Sequence, residues 1–337
     1  MAKRAIQLWV SALIPLFLTS GHAMAGSTPP PLPKEQHTII LVDRSGSMTA
    51  IRKDGVSRFQ AAITDAKSYV NLPLSVPHFF SVWTFEEETY VKEQGFADAA
   101  TTLSTLGRLK VGNGVTPLAL TVCDAIDHLF TFKTELENQA KKVVKLVSDG
   151  EENSTPRTTQ CYGPNSSVTK PPFTTNSWQW KVYNKFATRN ANTPPNAGNF
   201  QAVLDVTVLS GYVSLMDARP SFVEVSGSGA AVTPTSASKT AAYLDFLQTL
   251  AGDSGGSYSA IVDTQPAPVV GDANSDYCVD SVDYYLVLEN YGFTVPPANP
   301  AADLNRDKVV DYLDYTIVMN NQGKGSRCGS STLLINK

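Results

Sequence analysis

Short apolar runs alternate with stretches whose apolar residues recur every three or four positions. The runs are HTIILVD (37–43), HFFSVWTFEE (78–87), KKVVKLVSDG (141–150), QAVLDVTVLSG (201–211) and SYSAIVD (257–263). Their brevity and their β-branched and aromatic content predict strands. SRFQAAITDAKSYVNL (57–72) sets Phe59, Ala62, Ile63, Ala66 and Val70 on one helical stripe. TPLALTVCDAIDHLF (116–130), with Pro117 just inside its start, WQWKVYNKFA (178–187) and SKTAAYLDFLQTLAG (238–252), stopping at Gly252, predict three more helices. Residues 151–177 are rich in Thr, Asn, Ser and Pro and predict a long loop. Strands alternating with helices predict an α/β fold, a doubly wound, mostly parallel sheet covered on both faces.

The two ends depart from this pattern. Lys3 and Arg4, an apolar run to about Leu18 and the small-x-small triplet Ala23-Met24-Ala25 predict a signal peptide over 1–25, cleaved after Ala25. The run is short for a membrane anchor and contains Pro15. The mature protein is therefore expected outside the cell. Residues 26–36 form a Pro-rich leader, 37–263 the α/β domain, 264–270 a Pro-rich linker, 271–328 a repeat module and 329–337 a tail.

Composition narrows the function. The 337 residues carry a net charge of −4, without the basic footprint of a nucleic-acid binder. Residues 271–337 hold nine Asp/Glu against five Lys/Arg, so the whole excess sits there and suggests a cation-binding end. Export permits disulfides. With four cysteines, the within-domain pairing Cys123–Cys161 and Cys278–Cys328 is the simplest, each bond contributing roughly 4 kcal/mol in the chain-entropy model. Asn153 and Asn165 lie in sequons that matter only in a eukaryotic host.

The pentad Gly252-Asp253-Ser254-Gly255-Gly256 matches the nucleophile setting of trypsin-like proteases, but those are all-β and need a histidine base. Loss of the signal removes His22, and His37, His78 and His128 lack that family's surroundings. Between a helix and a strand, the glycines predict a C-cap and turn.

A more informative Asp-Ser-Gly lies in LVDRSGSM. Asp43 ends a buried run and is followed by Ser45 and Ser47. Asp149 should end another strand, and Thr116 opens a helix after a Gly-rich loop. Ligands of doubly wound sheets bind at the carboxyl ends of strands. Two carboxylates and three hydroxyls, all hard oxygens, suit Mg²⁺ or Mn²⁺. Two carboxylates only offset a divalent ion, which leaves it able to take an acidic group from a partner. No base is nearby to activate water, so binding is favoured over hydrolysis. IILVDRSGSM, GNGVTPL, KLVSDGEEN and LAGDSGGSYSAI together resemble the von Willebrand factor A (vWA) domain with its metal-ion-dependent adhesion site (MIDAS). The resemblance implies that Asp43, Ser45, Ser47, Thr116 and Asp149 hold the ion. It also implies a protein ligand, usually without catalysis.

Asp-x-Asn-x-Asp-x-x-Val-Asp-x-x-Asp occurs twice, 31 residues apart. Loop positions 1, 3, 5, 9 and 12 are Asp272, Asn274, Asp276, Asp280 and Asp283, then Asp303, Asn305, Asp307, Asp311 and Asp314. With the position-7 carbonyls of Cys278 and Val309, these are the oxygens a Ca²⁺ loop requires. Val282 and Leu286, like Leu313 and Ile317, lie four apart on a helix leaving each loop. Crowded carboxylates repel without a cation, so the module is expected to fold only with Ca²⁺. The repeat resembles a type I dockerin, a small EF-hand-like all-α module that presents helices to a cohesin. Two departures stand out. Position 6, usually Gly, is Tyr277 or Lys308, predicting strained turns. Positions 10 and 11 differ between copies (Ser281-Val282 and Tyr312-Leu313), against symmetric dual binding.

The expectation is a secreted, non-enzymatic adhesion protein, binding an acidic partner group through Mg²⁺ or Mn²⁺ and tethered or braced by a Ca²⁺ module. The alternatives are a cohesin-docking scaffold component and an exported hydrolase with an unrecognised site.

Overall fold

The computed structural model describes residues 33–136, 139–150, 152–187, 200–210, 236–264 and 269–328. The signal peptide expected over 1–25, most of the leader, linker residues 265–268 and the tail from 329 lie outside the described residues.

The apolar runs form β1 (Glu35–Asp43), β2 (His78–Glu86), β4 (Ala140–Ser148), β5 (Val203–Ser210) and β6 (Tyr258–Val262). The helical stripes form α1 (Arg58–Val70), α3 (Leu118–Leu129), α4 (Trp178–Ala187) and α5 (Ser236–Asp253). Two elements were not expected from the pattern: β3 (Thr89–Ala97) and α2 (Ala99–Arg108). Two predicted ends also moved. Pro117 is the N-cap of α3 rather than a residue inside it, and α5 runs through Gly252 to Asp253. Gly255 takes the left-handed turn instead, with φ +74°.

The sheet order is β3-β2-β1-β4-β5-β6. β2, β1, β4, β5 and β6 pair in parallel, and β3 adds antiparallel to β2 at one edge. Successive residues of buried strands face opposite sides. Ile39, Leu41, Trp83, Val144, Leu146 and Val206 pack with residues of α3, α4 and α5. Ile40, Val42, Phe80, Val82, Val143 and Val147 pack with residues of α1 and with Leu106 of α2. Strand order reverses between β1 and β4, so their carboxyl ends open the crevice where such sheets bind ligands.

Beyond β6, α6 (Ser281–Glu289) and α7 (Tyr312–Asn321) each leave one acidic loop. A small core of Val279, Val287, Ala298, Ala302, Val310 and Val318 joins them. Pro33–Lys337 is one compact unit, so this segment packs directly on the sheet domain. Its contacts lie at the amino ends of the strands, opposite the crevice. Lys141 of β4 donates through Nζ to the Arg306 carbonyl (3.0 Å), and Asn305 Nδ2 donates to the Pro73 carbonyl beyond α1 (3.2 Å). Both expected disulfides are present: Cys123–Cys161 staples α3 to the long loop, and Cys278–Cys328 closes the C-terminal segment. Among the described residues no helix is long and apolar enough to cross a membrane.

Candidate metal centre

Asp43 ends β1 with its residue fully buried. One carboxylate oxygen accepts the Ser45 N–H (2.7 Å) and the other the Ser148 hydroxyl (2.5 Å). Burial pushes its pKa up to about 6; the hydrogen bonds from Ser148 and Ser45 act in the opposite sense, and the charge of Asp149 adds to the rise. Beyond Asp43 the chain makes a short 3-10 turn, Gly46–Thr49, anchored by fully buried Met48. The turn brings the Ser45 and Ser47 hydroxyls 3.1 Å apart, and Ser47 donates to Asp149 Oδ1 at 2.7 Å.

Gly46 donates its N–H to the Gly114 carbonyl (2.9 Å), and a Cβ there would stand 3.1 Å from the Asn113 carbonyl oxygen. The serine turn thus rests on the Gly-rich loop that leads to Thr116. The buried Thr116 is held from the other side. Its N–H donates to Asn153 Oδ1 (2.8 Å), and the Asn153 N–H donates to its carbonyl (3.1 Å). A Cβ at Gly150 would lie 2.7 Å from Thr116 Oγ1, so only glycine after Asp149 lets the hydroxyl approach this closely.

Part of the predicted long loop is therefore built into the site. Glu152 accepts the Ala119 N–H at the start of α3 (2.6 Å) and, within the loop, the Thr155 hydroxyl (2.7 Å). A carboxylate suits that helix end, where main-chain N–H groups lack partners.

All five predicted residues come together: Ser45, Ser47 and Asp149 in a hydrogen-bonded chain, Asp43 on Ser45, and Thr116 against Gly150. Their donor set, two carboxylates and three hydroxyls around a glycine-made space, fits a hard divalent ion. Among the described residues no three His, Cys, Asp or Glu side chains gather as a metal-binding group. An ion here would depend on the hydroxyls.

Several neighbours were not identified from the sequence. Arg58, the first residue of α1, donates from Nη1 to Asp149 Oδ2 at 2.6 Å and makes three bonds of 2.5–3.1 Å to Asp263. One signal was legible: a cation in a helix's first turn opposes the macrodipole and so calls for an anionic partner. Buried Tyr243 of α5 lies close enough to Asp43 and Asp149 for burial and then those charges to hold its phenol well above its ordinary pKa. Among the described residues its oxygen has no hydrogen-bond partner of normal geometry.

The two acidic loops are built alike. In the first, Asp272 accepts the N–H groups of Asp276 and Tyr277, Asp276 accepts that of Cys278, and Asp283 accepts those of Asn274 and Asp280. The second repeats every bond with Asp303, Asp307, Lys308, Val309, Asp314, Asn305 and Asp311. The position-6 residues Tyr277 and Lys308 are left-handed, φ 70° and 73°, the conformation for which glycine is usual. Burial, joined by the charges of Asp314 and Asp307, pushes Asp303 up to about 6 despite the N–H bonds it accepts.

Ser254 is spoken for structurally. Its hydroxyl donates to the Ala251 carbonyl (3.1 Å) and accepts the Leu204 N–H (3.0 Å), pinning the end of α5 to β5.

No protein-family model and no curated protein matches the chain. Among solved structures, the SpRpn10 VWA domain is similar with TM-score 0.41 and 11% identity, over 69% of this chain and 90% of that one. An aerotolerance-related membrane protein from Bacteroides fragilis gives 0.38 and 14%, over 67% and 91%. The conserved hypothetical protein BatB from Bacteroides thetaiotaomicron gives 0.36 and 14%, over 67% and 90%. The chain's own topology defines its class: an open, doubly wound α/β sheet whose candidate site occupies the switch point.

Proposed function

We propose that this is a secreted, vWA-like protein-binding module that grips an acidic group of its partner through a divalent ion. The observation that carries this is the linked set Asp43–Ser45–Ser47–Asp149 with Thr116 at the switch point. Asp43, Ser45, Ser47, Thr116 and Asp149 would hold Mg²⁺ or Mn²⁺. The ion would supply an electrophilic position for a carboxylate. The protein's own task is to fix the oxygens: backbone turns set the serines, and Asn153 sets Thr116. Binding is favoured over catalysis because Ser254 is used in packing and the bonds described for the crevice carboxylates come from serine hydroxyls, a backbone N–H and Arg58, none of them a general base.

The acidic repeat reads as a dockerin-like Ca²⁺ module that braces the sheet domain. The contacts of Arg306 and Asn305 with Lys141 and Pro73 support bracing, since they use the second loop itself. Docking to a cohesin is the competing role. It draws support from the exposed Val282, Tyr285 and Tyr312 on α6 and α7.

Affinity capture of partners by the secreted protein in Mg²⁺, Ca²⁺ and chelator tests the first reading. Capture in Mg²⁺ that is lost with chelator and with Asp43→Asn supports it; capture indifferent to both refutes it. Cohesin pull-down with and without chelator separates docking from bracing.

A further inference from the structure

We infer that Arg58 is a resident counter-cation of this centre: by sharing Asp149 it weakens the hold on a divalent ion, and Asp263 limits that effect by drawing Arg58 away. This rests on the metal reading above and concerns the chain's own charges.

Asp149 has no free carboxylate oxygen. Its side chain is fully buried; Oδ1 accepts from Ser47 (2.7 Å) and Oδ2 from Arg58 (2.6 Å). Of the two carboxylates, Asp43 has no cationic partner among the described residues, where it is bonded to Ser45 and Ser148. An entering ion therefore meets one uncompensated carboxylate and one already shared with a guanidinium.

Arg58 cannot leave its charge behind. A guanidinium stays protonated in proteins at any ordinary pH. Three of its four bonds in this cluster go to Asp263, the fork geometry that arginine forms best with a carboxylate. Asp263 follows β6, and its own N–H donates to the Ser210 carbonyl (2.8 Å), so its position is set by the sheet. Arg58 is thus strung between a carboxylate of the metal set and one outside it.

This arrangement predicts opposite signs for two substitutions. Arg58→Gln removes a positive charge and frees Asp149, so divalent binding tightens. Asp263→Asn leaves the guanidinium to Asp149 alone, so binding weakens. Residues that merely support the fold would weaken binding in both cases.

The test is Mn²⁺ titration of the full secreted chain, following free Mn²⁺ by electron paramagnetic resonance. The component missing in Asp43→Asn is read as the centre. Arg58→Gln is expected to bind about tenfold more tightly, the scale of one unit charge acting on a divalent ion at close range. Asp263→Asn is expected to bind more weakly than wild type. A folded Arg58→Gln with unchanged or weaker binding overturns the inference. If Arg58→Gln fails to fold, the double variant Arg58→Gln/Asp263→Asn, which leaves no unpaired carboxylate, decides: binding tighter than in Asp263→Asn supports the inference, and equal or weaker binding overturns it. No Asp43-dependent component in the wild type defeats the metal reading itself, a result distinct from the others.

Discussion

Asn153 and Thr116, 37 residues apart, exchange a pair of hydrogen bonds: Thr116 N–H to Asn153 Oδ1 at 2.8 Å and Asn153 N–H to the Thr116 carbonyl. The pair ties the loop after β4 to the loop before α3, and so fixes one hydroxyl of the centre relative to Asp149. Asn153→Ala leaves a partly buried N–H without its partner, at a cost of about 1–3 kcal/mol. The expected result is a lowered denaturation midpoint and weaker Mn²⁺ binding, with the sheet retained by circular dichroism. Unchanged binding would mean that Thr116 is placed by other contacts.

The Cys123–Cys161 bond acts on the same loop from further along. Replacing both cysteines by serine should cost about 2–5 kcal/mol of stability. Hydrogen exchange should rise first in the loop carrying Cys161 and at the start of α3, where Glu152 and Thr155 bond the N–H groups of Ala119 and Leu120. Uniformly raised exchange would argue against local loosening.

If the acidic loops hold Ca²⁺ as proposed, the ion should stabilise more than the loops themselves. The second loop donates to Pro73 and accepts from Lys141, so ordering it with Ca²⁺ also orders the lower end of the sheet. Chelation is expected to raise hydrogen exchange around Pro73 and the first residues of β4 as well as in 303–314. Asp314→Asn should do the same, whereas Asp283→Asn in the first loop should leave Pro73 protected. Identical exchange maps for the two variants would contradict bracing by the second loop.

His78 predicts the acid limb of stability. Burial, then the charges of Lys141 and His37, lowers its pKa to about 3. Its Nε2 lies 2.7 Å from the Thr38 hydroxyl and 3.2 Å from Gln36 Nε2, which suits a neutral ring accepting at that atom. The unfolded chain binds a proton near pH 6.5, while the folded chain resists until about pH 3. The stabilising contribution is therefore complete above 6.5 and falls away as pH drops from 6.5 towards 3. The slope of stability against pH over that window should be shallower in His78→Gln than in wild type. Equal slopes would mean that His78 titrates normally in the folded protein.

Legibility in the sequence followed burial. β1, β4 and β5 are apolar runs because both faces are covered, and their ends were readable to within two residues. β3 was not: as an edge strand it is largely exposed, and TYVKEQGFA carries no apolar run. α2 escaped because AATTLSTLGR is Thr-rich and buries only Thr102, Thr105 and Leu106. The five candidate residues could be singled out in the sequence because they stand at strand ends or beside glycines. Arg58, Asn153 and Tyr243 act through pairings of distant segments, which residue order alone does not reveal. The end of α5 was misplaced by one residue because Gly252 looks like a stop, whereas the left-handed turn falls at Gly255.

On our proposal a divalent ion sits among Asp43, Ser45, Ser47, Thr116 and Asp149. Mn²⁺ stoichiometry of the full chain, compared with that of Asp43→Asn, is the decisive measurement. One fewer bound ion is expected in the variant, with the two acidic loops filled equally in both proteins. Equal stoichiometry in two equally folded proteins would contradict it.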